Sequence, residues 1–345
     1  MITVEKLGVL LSPSELEFEK EGVLNPGIYQ DGDTIHIFYR AVQFGNISTI
    51  GYAKSEGPFN IVERHEKPLI DIDFEYEKKG VEDARIVKID DTFYLTYTAY
   101  NGINAMGALA TSKDLVNFEK HGIITPGVTY EAYKDFVTRK NEEELNPKYL
   151  MYYNLFAEIG LVSDKFRLLR DKDIVLFPRK INGKFAMLHR IWPGIQIAYF
   201  DDFSDLTPEY WNNYLENLVD WIVIDPEGVF EVNYIGAGGP PIETEDGWVM
   251  IYHGVQETTT GKTYHAKAAL LHLDNPEIEI SRLPYPIFSP TNVWEKEGYV
   301  NNVVFPTGHA VFGDDLYVYY GVADSKIAVV KLKLSEILTE LKLQP

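Results

Sequence analysis

Turn residues followed by alternating aromatic and β-branched runs recur along most of this 345-residue chain. Copies begin at Asp31-Gly32-Asp33, Asp90-Asp91, Asn146-Pro147, Asn182-Gly183, Asp246-Gly247 and Gly313-Asp314-Asp315. They lead into runs at 35–39, 93–97, 149–153, 185–188, 248–252 and 316–320. Each run reads as a strand entered from a tight turn, and the stretches 49–53, 106–111, 195–199 and 327–330 read as antiparallel partners. The copies are too unevenly spaced for one fixed repeat length, which suits radial sheet blades joined by variable loops. Strand periodicity does not reveal closure, so a β-sandwich stays open at this level. Closed all-β folds reach this length as one unit, so residues 1–345 are read as a single domain.

Two stretches break the pattern. Thr207-Pro208 followed by Trp211, Leu215 and Leu218 supplies a cap, a proline in the first turn and one apolar face, which predicts a short helix. Ser335 reads as the cap of a C-terminal helix carrying Ile337, Leu338 and Leu341.

A formal charge of −20 argues against nucleic-acid or anionic-membrane surfaces, which need a basic face to release counterions, and favours a neutral small-molecule ligand. A phosphate-bearing substrate would need local Arg, Lys or His to offset that field. With no cysteine, disulfides and thiolate chemistry are excluded. The stretch 1–13 lacks the residue order of a signal peptide and no run has membrane-spanning length, so the expected location is cytoplasmic. The oligomeric state is open, with a homo-oligomer allowed.

Polar segments sit at the strand edges, where loops carry function on a rigid scaffold. Gly80-Val81-Glu82-Asp83-Ala84-Arg85 places two carboxylates and a guanidinium directly before the apolar run 86–89. A carboxylic acid there could protonate a leaving oxygen; an Asp–Arg pair bracing a turn is the plainer reading. The glycine-rich 234–241 lacks the lysine of a P-loop and the spacing of a dinucleotide fingerprint, so close backbone approach explains it better. His189 with Arg190, and His253 after Tyr252, stand at strand ends and together could form an anion site. No spacing points to a metal, and Gly-x-Ser-x-Gly is missing.

Six motifs in order give a resemblance: Gly80-Val81-Glu82-Asp83-Ala84-Arg85-Ile86; Leu176-Phe177-Pro178 with Met187-Leu188-His189-Arg190; Ile235-Gly236-Ala237-Gly238 with Pro240-Pro241; Ile251-Tyr252-His253-Gly254; Val304-Phe305-Pro306-Thr307-Gly308; and Tyr319-Tyr320-Gly321-Val322-Ala323-Asp324. Over nearly its whole length the chain resembles glycoside hydrolase family 130, the β-mannoside phosphorylases and related β-mannosidases. The resemblance implies an all-β, five-bladed propeller with short helical insertions and a C-terminal helix. Its active site should lie at the centre. Six hairpin-like units do not map onto five blades directly; shared first and last segments in one blade would reconcile them.

By resemblance, Asp83 is the general acid, with Ala84 where the family usually has proline. The implied reaction cleaves β-mannosidic bonds with inversion, by phosphorolysis to mannose 1-phosphate, with inorganic phosphate as co-substrate and no cofactor or metal. Arg40, Glu82, Arg85 and Asp324 are the expected sugar ligands, and Lys180, His189, Arg190, Tyr252 and His253 the expected phosphate side. The family's phosphorylases commonly carry an arginine in the segment matching 104–112, which has none here. Arg179, where the family often has glutamate, reads as a compensating charge. The arginine missing from 104–112 would otherwise favour an inverting exo-β-mannosidase, which needs a carboxylate base: Glu231 or Glu257. A catalytically silent sugar-binding propeller is the third reading, resting on the abundant Tyr and Trp. The helix near Trp211 is expected to reshape the pocket rim.

Overall fold

The computed structural model describes residues 2–140, 144–160, 166–259 and 261–344. After strand β1 (Glu5–Leu11) comes a first blade of β2 (Gly22–Asp31), β3 (Thr34–Gln43), β4 (Ile47–Glu56) and β5 (Asn60–Arg64). The second holds β6 (Gly80–Ile89), β7 (Thr92–Tyr100), β8 (Ala105–Ser112) and β9 (Phe118–Ile123). The third holds β10 (Lys172–Leu176), β11 (Phe185–Arg190), β12 (Ile195–Phe200) and β13 (Ile222–Ile224). In the fourth, β14 (Ile235–Ala237) and β15 (Ile242–Thr244) share the inner position beside β16 (Gly247–Thr258), followed by β17 (Gly261–Leu271) and β18 (Glu279–Arg282). The fifth holds β19 (Val304–Phe312), β20 (Asp315–Val322) and β21 (Lys326–Lys333).

The fifth blade takes its outer strand from the other end of the chain: β1 runs antiparallel to β21, Glu5 opposite Lys331 and Leu11 opposite Ile327. The first two blades touch through one parallel bridge, Ser48 with Gly80. The fold is a five-bladed β-propeller closed by strand exchange between the chain's ends. Five of the six sequence units each supply one blade. The sixth, after Asn146-Pro147, is helical.

That unit belongs to an insertion between β9 and β10, with α1 (Tyr130–Lys140) and α2 (Lys148–Glu158). Tyr149, Leu150, Tyr153 and Phe156 fall on one helical face and pack into the core between the second and third blades. Asn146 caps the turn, its side-chain oxygen accepting from Lys148 N at 3.0 Å. The aromatic run therefore follows the helical period, not the strand period expected of it. Helix α3 (Pro208–Glu216) begins as expected, with the Thr207 side chain accepting from Tyr210 N. Trp211 and Tyr214 are buried in the same core, so this helix does not form the pocket rim. Between β18 and β19 lies α4 (Val293–Lys296). At the end, α5 (Leu334–Lys342) is held by Asp314 rather than by Ser335: the Asp314 carboxylate accepts from Ser335 N at 2.9 Å and Ser335 Oγ at 2.8 Å.

Five apolar clusters each fill the space between one pair of neighbouring blades. Strands buried on both faces read as nearly continuous apolar runs. This leaves the axis free for polar groups.

A second regularity fixes which side chains reach that axis. Glu19, Glu77, Glu231 and Glu295 are fully buried. Each accepts from a second-strand tyrosine: Tyr39 at 2.6 Å, Tyr97 at 2.7 Å, Tyr252 at 2.6 Å and Tyr320 at 2.8 Å. Each also meets a cation: Arg64, Lys120, Lys267 and Lys6 respectively. In the third blade His189 takes the tyrosine's place, bridging Asp171 at 2.7 Å and Tyr214 at 2.8 Å. Since strand side chains alternate, the next residue points the other way, and these residues are Arg40, Thr98, Arg190, His253 and Gly321. Gly321 must lack a side chain, because a Cβ there would stand 2.1 Å from Asn25 Oδ1.

Candidate active site

The inner strands are irregular where they reach the site. Register shifts interrupt β2 between Leu24 and Gly27, β6 between Glu82 and Arg85, and β10 between Lys172 and Val175. At these bulges Asn25, Asp83 and Asp173 adopt φ of 48°, 55° and 55°. Left-handed backbone is costly away from glycine, and bulges re-aim side chains. Here they turn a polar residue from each of three blades into one cavity.

That cavity has a volume of about 390 Å³, and its wall includes Asn25, Arg40, Glu82, Asp83, Lys172, Asp173, Arg190 and Asp324. Aromatic groups Tyr100, Trp192, Tyr234, Tyr264 and Phe305 complete it, with Arg170, Asn46, Ala105, Val300 and Val303. Asp83 Oδ1 accepts from Asn25 Nδ2 at 2.8 Å, and its carboxylate stands 3.8 Å from Arg40 and 3.9 Å from Lys172. Arg85 lies behind the cavity, donating to the Asp83 carbonyl at 2.8 Å and to Gly238 O at 2.5 Å, so it braces the bulge. Burial alone would raise the Asp83 pKa, but Lys172, Arg40, Arg85 and the Asn25 amide outweigh it and hold the carboxyl below its ordinary range.

Glu82 pairs with Arg40 at 2.9 Å and approaches Lys172 at 3.6 Å. Arg190 faces Asp173 at 2.9 Å and donates to His253 Nε2 at 3.1 Å. Burial first, then the Arg190 and Arg85 charges, depress the His253 pKa strongly. A neutral imidazole thus accepts from Arg190 and orients it. Arg190 Nε and Arg85 Nη2 are buried donors with no acceptor among the described residues. Such groups are costly unless a ligand supplies the missing partner.

Burial pushes Asp324 up to about 6, with Asp83 and Glu82 adding to the rise and Arg40 and Lys172 opposing it. The folded carboxyl therefore keeps a proton that the unfolded chain, at about 4, has lost. The stabilisation is full below about pH 4 and lost as pH rises through 6. Relative to Asp324→Asn, the wild type should lose about 2 kcal/mol across this window, part of the full shift being screened by pocket water. Urea unfolding at several pH values measures this; a flat difference would show that Asp324 ionises normally.

Of the expected site residues, the cavity gathers Asp83, Arg40, Glu82, Asp324 and Arg190, with Arg85 and His253 just behind. The others lie elsewhere. His189 and Tyr252 are blade fasteners facing away from the axis. Lys180 lies over the Phe185 ring at 4.4 Å, and Arg179 pairs with Glu243 at 2.8 Å over Trp248, so neither reaches the cavity. Glu231 is consumed by Lys267 at 2.5 Å, Tyr252, Arg282 at 3.3 Å and Glu227 N at 2.9 Å. Glu257 is exposed near a hairpin tip, accepting from Asn233 at 2.5 Å.

Sequence reasoning missed Asn25, Arg170, Lys172 and Asp173. Arg170 and Lys172 occupy the wall beside the 104–112 segment, since Asp171 N donates to Ala105 O at 3.2 Å. The cations absent from that segment are thus supplied by the strand next to it. A signal was present: Leu24-Asn25-Pro26-Gly27, Glu82-Asp83-Ala84-Arg85 and Lys172-Asp173-Ile174 each put Asn or Asp at an inner-strand bulge.

A family model described as β-1,4-mannooligosaccharide phosphorylase matches residues 11–176 and 158–343. The chain belongs to glycoside hydrolase family 130. It is 35% identical to a 1,2-β-oligomannan phosphorylase of Thermoanaerobacter sp. (strain X514), over 98% of this chain and 99% of that protein. It is 34% identical to a β-1,2-mannobiose phosphorylase of the same organism, over 95% and 96% of the two chains. A β-1,2-mannobiose phosphorylase from Listeria innocua, solved with β-1,2-mannobiose, superposes with a TM-score of 0.72 at 26% identity, covering 99% of this chain and 100% of that one. Among the described residues, no group of three or more His, Asp or Glu could hold a metal ion, and no helix is long and apolar enough to cross a membrane.

Proposed function

We propose that this protein is an inverting β-mannoside phosphorylase acting on β-1,2-linked mannosides, with inorganic phosphate as co-substrate and α-mannose 1-phosphate as product. One observation carries this reading: Asp83 and the cations Arg170, Lys172 and Arg190 line a single cavity. In a chain of charge −20, Arg40, Arg170, Lys172 and Arg190 offset Glu82, Asp83, Asp173 and Asp324 there, giving a local field that tolerates a dianion. The β-1,2 linkage rests on the relatives matched along their whole length, whose names specify it.

In this scheme the bond between the mannosyl C1 and the bridging oxygen breaks. That oxygen takes a proton originating on Asp83, and a phosphate oxygen bonds to C1 from the opposite face, inverting the anomeric centre. Phosphate arriving beside Lys172 and Arg190 offsets the Lys172 charge, the largest of those that hold Asp83 ionised. Its binding therefore raises the acid's pKa towards the range where it can donate. Neither base expected for hydrolysis, Glu231 or Glu257, reaches the cavity, while Glu82 and Asp173 are engaged by Arg40 and Arg190.

Incubation with β-1,2-mannobiose is expected to give α-mannose 1-phosphate and mannose only when phosphate is present. Phosphate-independent release of mannose as the main reaction would replace this reading with the mannosidase.

A further inference from the structure

Two exposed aromatic side chains next in sequence to cavity-wall segments take no part in the chemistry above. Phe44 is 81% exposed and Tyr299 is 78% exposed, more than any other large hydrophobic side chain among the described residues. Single exposed apolar residues are ordinary on a protein surface. The segments that carry these two, however, supply wall residues to the same cavity. Phe44 precedes Gly45 and Asn46, whose φ values of 84° and 54° make the tight β3–β4 turn, and Asn46 is part of the cavity wall. Tyr299 precedes Val300, another wall residue, whose N–H donates to Ala323 O at 3.3 Å. Gly298 is pressed so closely on the same carbonyl that a Cβ would stand 2.4 Å from it. Both rings therefore ride on backbone held next to the cavity wall, and Tyr299 is close enough to Arg40 to act on it electrostatically.

Asp83 is only 7% exposed, so the scissile bond must sit at the cavity floor and the rest of the substrate must leave through the mouth. The apolar C–H face of a pyranose stacks well on an aromatic ring, and a neutral sugar incurs no penalty in a strongly negative field. Resting on the phosphorylase reading, we infer that Phe44 and Tyr299 are platforms for the mannosyl units beyond the scissile bond. The site consequently favours chains of three or more units over the disaccharide. The two relatives from Thermoanaerobacter differ in name on this point, one an oligomannan and the other a mannobiose phosphorylase.

The test compares Phe44→Ala, Tyr299→Ala and the double variant on β-1,2-mannobiose and β-1,2-mannotetraose with phosphate. The double variant should lose about tenfold in kcat/KM for the tetraose, through KM, and less than about twofold for mannobiose. Tyr299→Phe, which keeps the ring, should restore most of the single loss. Equal losses on both substrates, or none, overturn the inference. Calorimetric binding of the same two sugars to Asp83→Asn, with and without the platform substitutions, gives a readout independent of turnover. If the wild type forms no mannose 1-phosphate, the reaction assignment fails, and that binding comparison still decides the platforms.

Discussion

Asp83→Asn is expected to reduce phosphorolysis by about 10²–10⁴-fold, the range for losing a positioned general acid. The amide keeps the shape and can stay beside Asn25 and Arg40, so sugar binding should change little and the loss should fall on kcat. The wild-type pH profile carries a second signature. The surrounding cations hold the empty enzyme's Asp83 low, and phosphate offsets them, so the basic limb of the profile should move to higher pH as phosphate is raised. A variant retaining more than a tenth of wild-type kcat would remove Asp83 from the acid's role.

Glu231→Ala should cost about 3–5 kcal/mol of stability, the penalty for breaking a buried pair and stranding its partners. Its carboxylate is fully buried and meets Lys267 and Arg282, so removal leaves two cations and the Tyr252 hydroxyl facing an apolar gap. Urea unfolding gives the magnitude. Product analysis separates the roles: a hydrolytic base would lose turnover with stability intact, whereas a fastener loses stability while the folded fraction turns over normally. Normal stability with abolished turnover would return Glu231 to the chemistry.

Much of the fold could be read from local pattern because hairpins are local objects. Asp31-Gly32, Asp90-Asp91, Asn182-Gly183, Asp246-Gly247 and Gly313-Asp314 each announce a turn, and the alternation beyond each announces a strand. The insertion at 146–158 misled because Tyr149, Leu150, Tyr153 and Phe156 are aromatic and apolar enough to pass for a strand. Their helical spacing, with Pro147 at the start, was the better guide. At the site, Asp83, Arg40, Glu82, Asp324 and Arg190 were found through motifs. His189 and Tyr252 were drawn in wrongly because they adjoin residues that do face the axis. In a strand, neighbours point to opposite sides, and adjacency along the chain means separation in space.

By itself the sequence determined five of the strand units, the exclusion of thiol chemistry, the family and the candidate acid Asp83, because these are written in the residues themselves and in short motifs. Which cations face that acid was decided only by the tertiary structure. Bulges with left-handed backbone turn Asn25, Asp83 and Asp173 inward, strand alternation does the same for Arg190, and the ring brings these residues together with Lys172. The wall lacking an arginine in 104–112 receives Arg170 and Lys172 from the start of β10 and the residues leading into it, some sixty residues away. No local spacing encodes that proximity; it exists only once the blades have closed around their axis.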